Sequence, residues 1–196
     1  EEHNDLCVGI DLGTTNSVLS IINVKLNGDI ISKVVELPRA VDTYTVVEGA
    51  KFNTQRKPTL PSCVYYDDEH HYKTVVGDFA KKRYSVRPHL VAKSIKSQMG
   101  REFATGLAPE VPDKTPAQIS ARILEHMLRY AERIFRTKID DAVITVPANF
   151  DSSMCRATRD AAEIAGIKIR NADESERPVL LSEPNAVIYD FINQAH

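Results

Sequence analysis

The chain lacks tryptophan altogether and has only three cysteines among 196 residues. An odd cysteine count without paired spacing excludes a disulfide framework, and the absence of C-x-x-C removes the usual spacing of a structural zinc site. Cys7, Cys63 and Cys155 sit in apolar or helical contexts, so buried or inert thiols and a reducing, cytoplasmic compartment are expected. No apolar run approaches the roughly 20 residues of a membrane helix. No charged n-region with an apolar h-region opens the chain. It begins at Glu1 rather than Met, which points to a trimmed or processed N-terminus. Neither sign of charge dominates: 25 Lys and Arg stand against 27 Asp and Glu, a net charge of −2. That balance argues against nucleic-acid and anionic-membrane partners. A hydrophobic content of 42% and a charged content of 27% describe an ordinary globular chain, long enough to bury a core.

Two nucleotide motifs are missing as well. Without G-x-x-x-x-G-K-[ST] the chain is not a P-loop protein, and without G-x-G-x-x-G a Rossmann dinucleotide site has no support. His70, His71 and His89 do not suggest a metal site, because adjacent residues of a strand face opposite ways.

What is present has a clear order. Residues 6–12 read as an apolar strand, 13–17 as a turn, 18–24 as a second strand, and 30–37 as a third beyond the turn at 27–29. Short connections between them predict an antiparallel meander. Residues 38–61 read as a surface excursion with one strand near 43–47. Strands are expected at 62–66 and 72–76, with a hairpin turn at 67–69. Helices are expected over 78–86 and 88–99, the second ended by Gly100. Residues 101–114 read as a loop.

The strongest helix signal follows. Thr115 and Gln118 form a T-x-x-Q capping box, and Pro116 suits the first helical position. Ile119, Ile123, Met127, Ala131 and Ile134 recur about once per turn and predict one core-facing stripe. A buried strand at 142–146 stops at Pro147. Asp151 can cap a helix reaching about Ala165, with Gly166 beyond it. A further strand is expected within 167–181, and Ser182 can cap a last helix with Pro184 in its first turn. Strand meander, helices, then strand-helix-strand-helix is an α/β order.

The chemistry concentrates at Ile10-Asp11-Leu12-Gly13-Thr14-Thr15-Asn16. A tight turn between strands aims successive backbone N–H groups one way and makes an anion-binding concavity. Gly13 permits close backbone approach, Thr14 and Thr15 add hydroxyl donors, and Asp11 at the strand end suits a Mg²⁺ held through its waters. Taken alone, the segment is equally compatible with a plain β-hairpin.

Residues 8–17 (V-G-I-D-L-G-T-T-N-S) resemble the opening phosphate motif of the heat shock protein 70 (DnaK-like) chaperones. Further segments resemble that family in the same order: 59–64 (T-L-P-S-C-V), Ile95-Lys96 with Gly100-Arg101, 116–121 (P-A-Q-I-S-A), 142–150 (A-V-I-T-V-P-A-N-F), 157–166 (A-T-R-D-A-A-E-I-A-G) and 183–186 (E-P-N-A). They span nearly the whole chain.

The resemblance implies the actin-like, ribonuclease-H-like fold, here as one lobe with a mixed sheet and flanking helices. Its core would be residues 1–37 and 115–196, with strands from 59–80, and 38–114 would hold an insertion and a trimmed outer subdomain. It also implies site roles. Gly13, Thr14, Thr15 and Asn16 would contact the β- and γ-phosphates, with ATP or ADP as the nucleotide. Asp11 would order the waters of Mg²⁺. Lys96 would position the water that attacks the γ-phosphate. Glu183 would face the metal and that water, and Pro147 would relay nucleotide state between domains.

Family partners would be a J-domain co-chaperone, a nucleotide exchange factor and unfolded client peptides, the last bound by a C-terminal domain that this sequence lacks. The family's second phosphate loop, D-x-G-G-G-T, would begin about where the chain stops at His196, so half of the ATP site is expected here. Residues 38–58 depart from the family pattern as an insertion, and 101–114 is short. Cys155 replaces the arginine that pairs with the relay proline, and Arg156 beside it points about 100° around the helix. These departures suggest a divergent bacterial member. Two other readings are a small-molecule kinase of the same superfold and a non-catalytic, chaperone-like interaction module.

Overall fold

A computed structural model describes residues 6–24, 30–38 and 56–186. Strand β1 (Leu6–Asp11) runs antiparallel to β2 (Asn16–Val24), with Asp11 opposite Val18. Strand β3 (Ile30–Val34) continues the meander, with Ser20 opposite Val34. The third strand is shorter than expected. The chain leaves the ladder at Val35 and Glu36 before β4 (Leu37–Pro38), which pairs instead with β5 (Arg56–Lys57). The expected turn at 27–29 and strand near 43–47 lie outside the described residues. Strand β6 (Leu60–Pro61) then returns to the opening of β2.

A second, three-stranded sheet follows directly. Strand β7 (Cys63–Asp67) is buried throughout and pairs with β8 (Lys73–Val76), across which helix α1 (Asp78–Arg83) packs. The connection expected as a hairpin turn at 67–69 is a 3₁₀ turn over Asp68–His70, capped by Asp67 accepting from the Glu69 N–H. His71 and Tyr72 follow with positive φ. The two histidines therefore lie in a turn, not a strand, and the His70 imidazole bonds Asp67 at 3.0 Å.

The helix expected over 88–99 is not formed. A 3₁₀ turn spans Pro88–Leu90, β9 (Val91–Lys93) pairs with β7, and a second 3₁₀ turn spans Ile95–Gln98. Val91, Ile95 and Met99 are all buried, and their four-residue spacing imitates a helical stripe. Pairing with the edge of β7 satisfies the backbone of residues 91–93, so the sheet overrides local propensity.

Helix α2 (Pro116–Phe135) begins as its sequence dictates. Thr115 accepts from the Gln118 N–H, and the Gln118 side chain returns to the Thr115 N–H. Ile119, Ile123, Met127 and Ala131 are fully buried, which makes the stripe core. Ile134 departs from it, 45% exposed on the last turn. Strand β10 (Ala142–Val146) lies parallel to β1, and helix α3 (Ser152–Ile164), capped by Asp151, packs on α2. The predicted strand in 167–181 is only β11 (Leu180–Ser182), parallel to β10; Arg170 and Glu176 close a loop before it. The main sheet order is β11-β10-β1-β2-β3, with β6 beside β2. Val8, Ile10, Ala142 and Ile144 line its inner face. Among the described residues no helix is long and apolar enough to cross a membrane.

One buried polar network ties the second sheet to α2. The Tyr66 hydroxyl donates to Asp113 Oδ2 at 2.9 Å, and Arg122 donates to both Asp113 oxygens at 2.8 Å. Burial, reinforced by the Asp113 charge, pushes the Tyr66 hydroxyl far above its usual range. Removing one partner of such a set strands the others. Asp113→Ala should therefore lower stability by about 3–5 kcal/mol, read as a shift of the urea midpoint with an unchanged slope.

Burial, and then the Arg129 charge, lowers the His126 imidazole to about 4. Its Nε2 is buried without a hydrogen-bond partner among the described residues. The unfolded ring titrates near about 6.5, so between these values the unfolded state holds more protons. Stability should be intact above about pH 6.5 and fall as pH drops toward about 4. In a pH series of urea melts, His126→Leu should flatten that slope.

Candidate phosphate-binding site

Three parallel strands end on one edge: β1 at Asp11, β10 at Val146 and β11 at Ser182. Their registers align Asp11 with Thr145 and Val146 with Ser182. In sheets of this kind ligands gather outside the carboxyl ends of the strands. Asp11, the turn after it, Pro147 and Glu183 all leave from this edge.

The turn is open to solvent at Asp11, Thr14, Thr15 and Asn16. Asp11 Oδ1 accepts from Thr145 Oγ1 at 3.2 Å, which orients the carboxylate. Gly13 is required here: a Cβ on it would lie 2.0 Å from the Asn16 carbonyl oxygen. The Thr15 carbonyl accepts from the Ser62 N–H at 2.9 Å.

Lys96 is carried to the same edge by the segment after β9. Ser94 adopts a left-handed conformation (φ 53°), and Ile95 and Lys96 turn inward. Gly100 (φ 83°) lets the chain pass over the start of α3, where a Cβ would meet Ser153 Oγ at 2.7 Å. Lys96 is 8% exposed, and its Nζ donates to Glu183 Oε1 at 3.0 Å, across 87 residues of sequence. The Phe150 ring centroid lies 5.8 Å from the same nitrogen. Glu183 opens the helical residues 183–186, where a carboxylate also favours the helix dipole. Lys93, one helical turn away in the expected helix, is instead on β9 with its ammonium 3.6 Å from the Tyr84 ring centroid.

Pro147 is half-buried, and its carbonyl accepts from the Phe150 N–H at 3.1 Å. Cys155 is half-buried on the first turns of α3, whereas Arg156 is exposed. Arg159, one turn further on, is already paired with Glu176 at 3.3 Å.

The structure thus joins Lys96 to Glu183 and places Asp11 and residues 13–16 on the same strand edge. Asp11 and Glu183 are oxygen donors of the kind Mg²⁺ takes, and that ion usually keeps several waters. Among the described residues no three His, Cys, Asp or Glu side chains converge. Sequence reasoning missed Thr145, Ser17, Ser62 and Phe150. Thr145 was legible only through strand register, and the two serines only through a pairing between distant segments.

A mixed sheet with an open turn, a carboxylate and a buried lysine gathered at its parallel edge defines the class as an α/β lobe. Comparison with known proteins narrows the class. A family model described as Hsp70 protein matches residues 108–172. "Chaperone protein DnaK" of Mycoplasmopsis agalactiae is 36% identical over 187 residues, covering 95% of this chain and 25% of that protein. The proteins of the same name from Ureaplasma urealyticum serovar 10 and Mycoplasma mycoides subsp. mycoides SC are 36% and 37% identical over 183 and 179 residues, covering 93% and 91% of this chain and 24% of each relative. The chain is similar to these DnaK proteins along nearly its whole length, and its mixed sheet with flanking helices is of the kind expected from that likeness. It spans about a quarter of the length of the curated relatives it matches.

Gly13→Ala tests the turn. The Asn16 carbonyl must move to admit the methyl group, at a cost of about 1–3 kcal/mol. Amide NMR signals of residues 14–16 should shift while those of α2 hold their positions.

Proposed function

We propose that this chain is the phosphate-holding lobe of an ATP-dependent molecular chaperone, supplying one half of a Mg-ATP site. The observation that carries the reading is the contact between the buried Lys96 ammonium and Glu183 beside the Asp11 strand edge. Phosphoryl transfer to water needs positioning and positive charge more than covalent chemistry, and this edge offers both. The backbone N–H groups and hydroxyls of residues 13–16 hold the β- and γ-phosphates. Lys96 orients the attacking water and faces the developing charge, while Glu183 fixes the ammonium. Asp11, oriented by Thr145, would hold Mg²⁺ through its waters. Bound Mg²⁺ would supply charge neutralisation of the phosphates.

Pro147 is the proposed relay from this edge to a client-binding domain. With Cys155 in place of an arginine, Arg156 exposed and Arg159 engaged by Glu176, neither neighbouring guanidinium of α3 is free for the relay partner's role. Coupling through Pro147 should accordingly be weaker than in relatives that keep the arginine. A J-domain protein, an exchange factor and unfolded peptides are the proposed partners of the whole protein, and its three free thiols suit the cytoplasm.

Calorimetry tests the half-site. The chain alone should bind Mg-ATP weakly, with a Kd of about 0.1 mM or above, roughly −5.5 kcal/mol or less favourable, and turn it over negligibly. A Kd near 1 µM or below would overturn the reading. In a version extended through a second phosphate loop, Lys96→Ala should cut kcat by about 10²–10³ and leave ATP affinity nearly unchanged. Unchanged turnover would remove Lys96 from the chemistry.

A further inference from the structure

The β1–β2 ladder reaches only from Asp11 opposite Val18 outward, so residues 12–17 lie beyond it. Their exit leg is held by a different segment. Asn16 pairs with Pro61 and Ser17 with Leu60. This ladder is two residues long, and Pro61 has no N–H to give it. Two further bonds reinforce it. The Ser62 N–H donates to the Thr15 carbonyl at 2.9 Å. The Ser17 and Ser62 hydroxyls bond each other at 2.9 Å, with residue exposures of 0% and 2%. A buried hydroxyl pair of this kind is costly to break from one side, because the survivor has no water to turn to.

The same few residues also fix Lys96. Cys63, next to Ser62, pairs with Lys93 at the end of β9, and the chain reaches Lys96 within the following turn. Residues 60–63 thus touch the phosphate turn on one side and start the strand that places the lysine on the other.

We infer that Ser62, through its buried bond to Ser17, is a positioning residue that holds the phosphate turn in its binding shape and in register with Lys96. The inference rests on the phosphate-binding reading of residues 13–16. The pinned Thr15 carbonyl is committed to the Ser62 N–H. An anion at the turn therefore meets the N–H groups and hydroxyls rather than that oxygen.

The test uses this chain with Ser62→Ala, Ser17→Ala and the double variant. Two measurements are made: amide hydrogen exchange without ligand, and an NMR titration with Mg-ATP. Ser62→Ala should speed exchange of the β2–β6 ladder amides about tenfold and raise the Mg-ATP Kd by a similar factor. Exchange in α2 and α3 should stay unchanged. The double variant should lose no more affinity than either single one. Ladder exchange and Kd both within twofold of wild type would overturn the inference, as would equal acceleration in α2 and α3, which marks a merely structural role. If Mg-ATP moves no signal at residues 13–16 of the wild type, the phosphate reading fails. The ligand-free exchange then still decides whether Ser62 holds the turn.

Discussion

The parallel pairing of β1 with β10 is the constraint on which the rest of the molecule depends. Val8 through Asp11 align with Ala142 through Thr145, so segments more than a hundred residues apart must lie side by side. A parallel pair needs a crossover connection, and here the crossover is most of the chain. Loop-closure entropy opposes such a contact but grows only slowly with length. The buried aliphatic face of the two strands and the stripe of α2 offset it. Once that register is set, Asp11 has Thr145 beside it, β11 docks on β10, and Glu183 emerges on the Asp11 side of the sheet. Slipping the pair by one residue would turn Val8 and Ile10 out of the core. The site inherits its geometry from the core and does not assemble independently of it.

The second sheet is attached with comparable strictness. It meets the main sheet where β6 gives way to β7, and it meets α2 through Tyr66, Asp113 and Arg122. One attachment is at the turn of residues 12–17; the other is the buried polar network. Between them runs β9, which delivers Lys96. The position of the Lys96 ammonium beside Glu183 therefore depends on how firmly the outer sheet is attached. The network's burial is thus better understood as fixing an orientation than as adding stability, since buried ion pairs often contribute little net free energy.

Local chemistry was the legible part of the sequence. The capping box at Thr115 and Gln118, the Asp151 cap, the stop at Pro147 and the core stripe of α2 all follow from rules acting within a few residues. What failed depended on partners far along the chain. Residues 91, 95 and 99 carry a helical period, yet Val91 pairs with β7 and Ile95 lies in a 3₁₀ turn, because β7 was there to be paired. Ile134 continues a buried period but sits on the last turn of α2, where it is exposed to solvent. For the candidate site, the turn residues came from local turn chemistry supported by motif resemblance, and Lys96 from resemblance alone. Thr145 and the Ser17–Ser62 pair came only from register, which no single segment encodes.

Lys96 is the most unusual charge of this strand edge. An ammonium removed from water needs compensation for its lost hydration. It carries three donors, and among the described residues its one hydrogen bond goes to Glu183, whose side chain is 45% exposed. The Phe150 ring adds a favourable electrostatic face at 5.8 Å, near the outer limit for such contacts. That leaves donor capacity on Lys96 beyond its bond to Glu183. An anion held by residues 13–16, or a water beside it, would satisfy that capacity. The charge is buried deeply enough to be fixed in place and paired lightly enough to act on a neighbour. A structural lysine would be expected to show the reverse, with its head group in solvent and its stem on the surface.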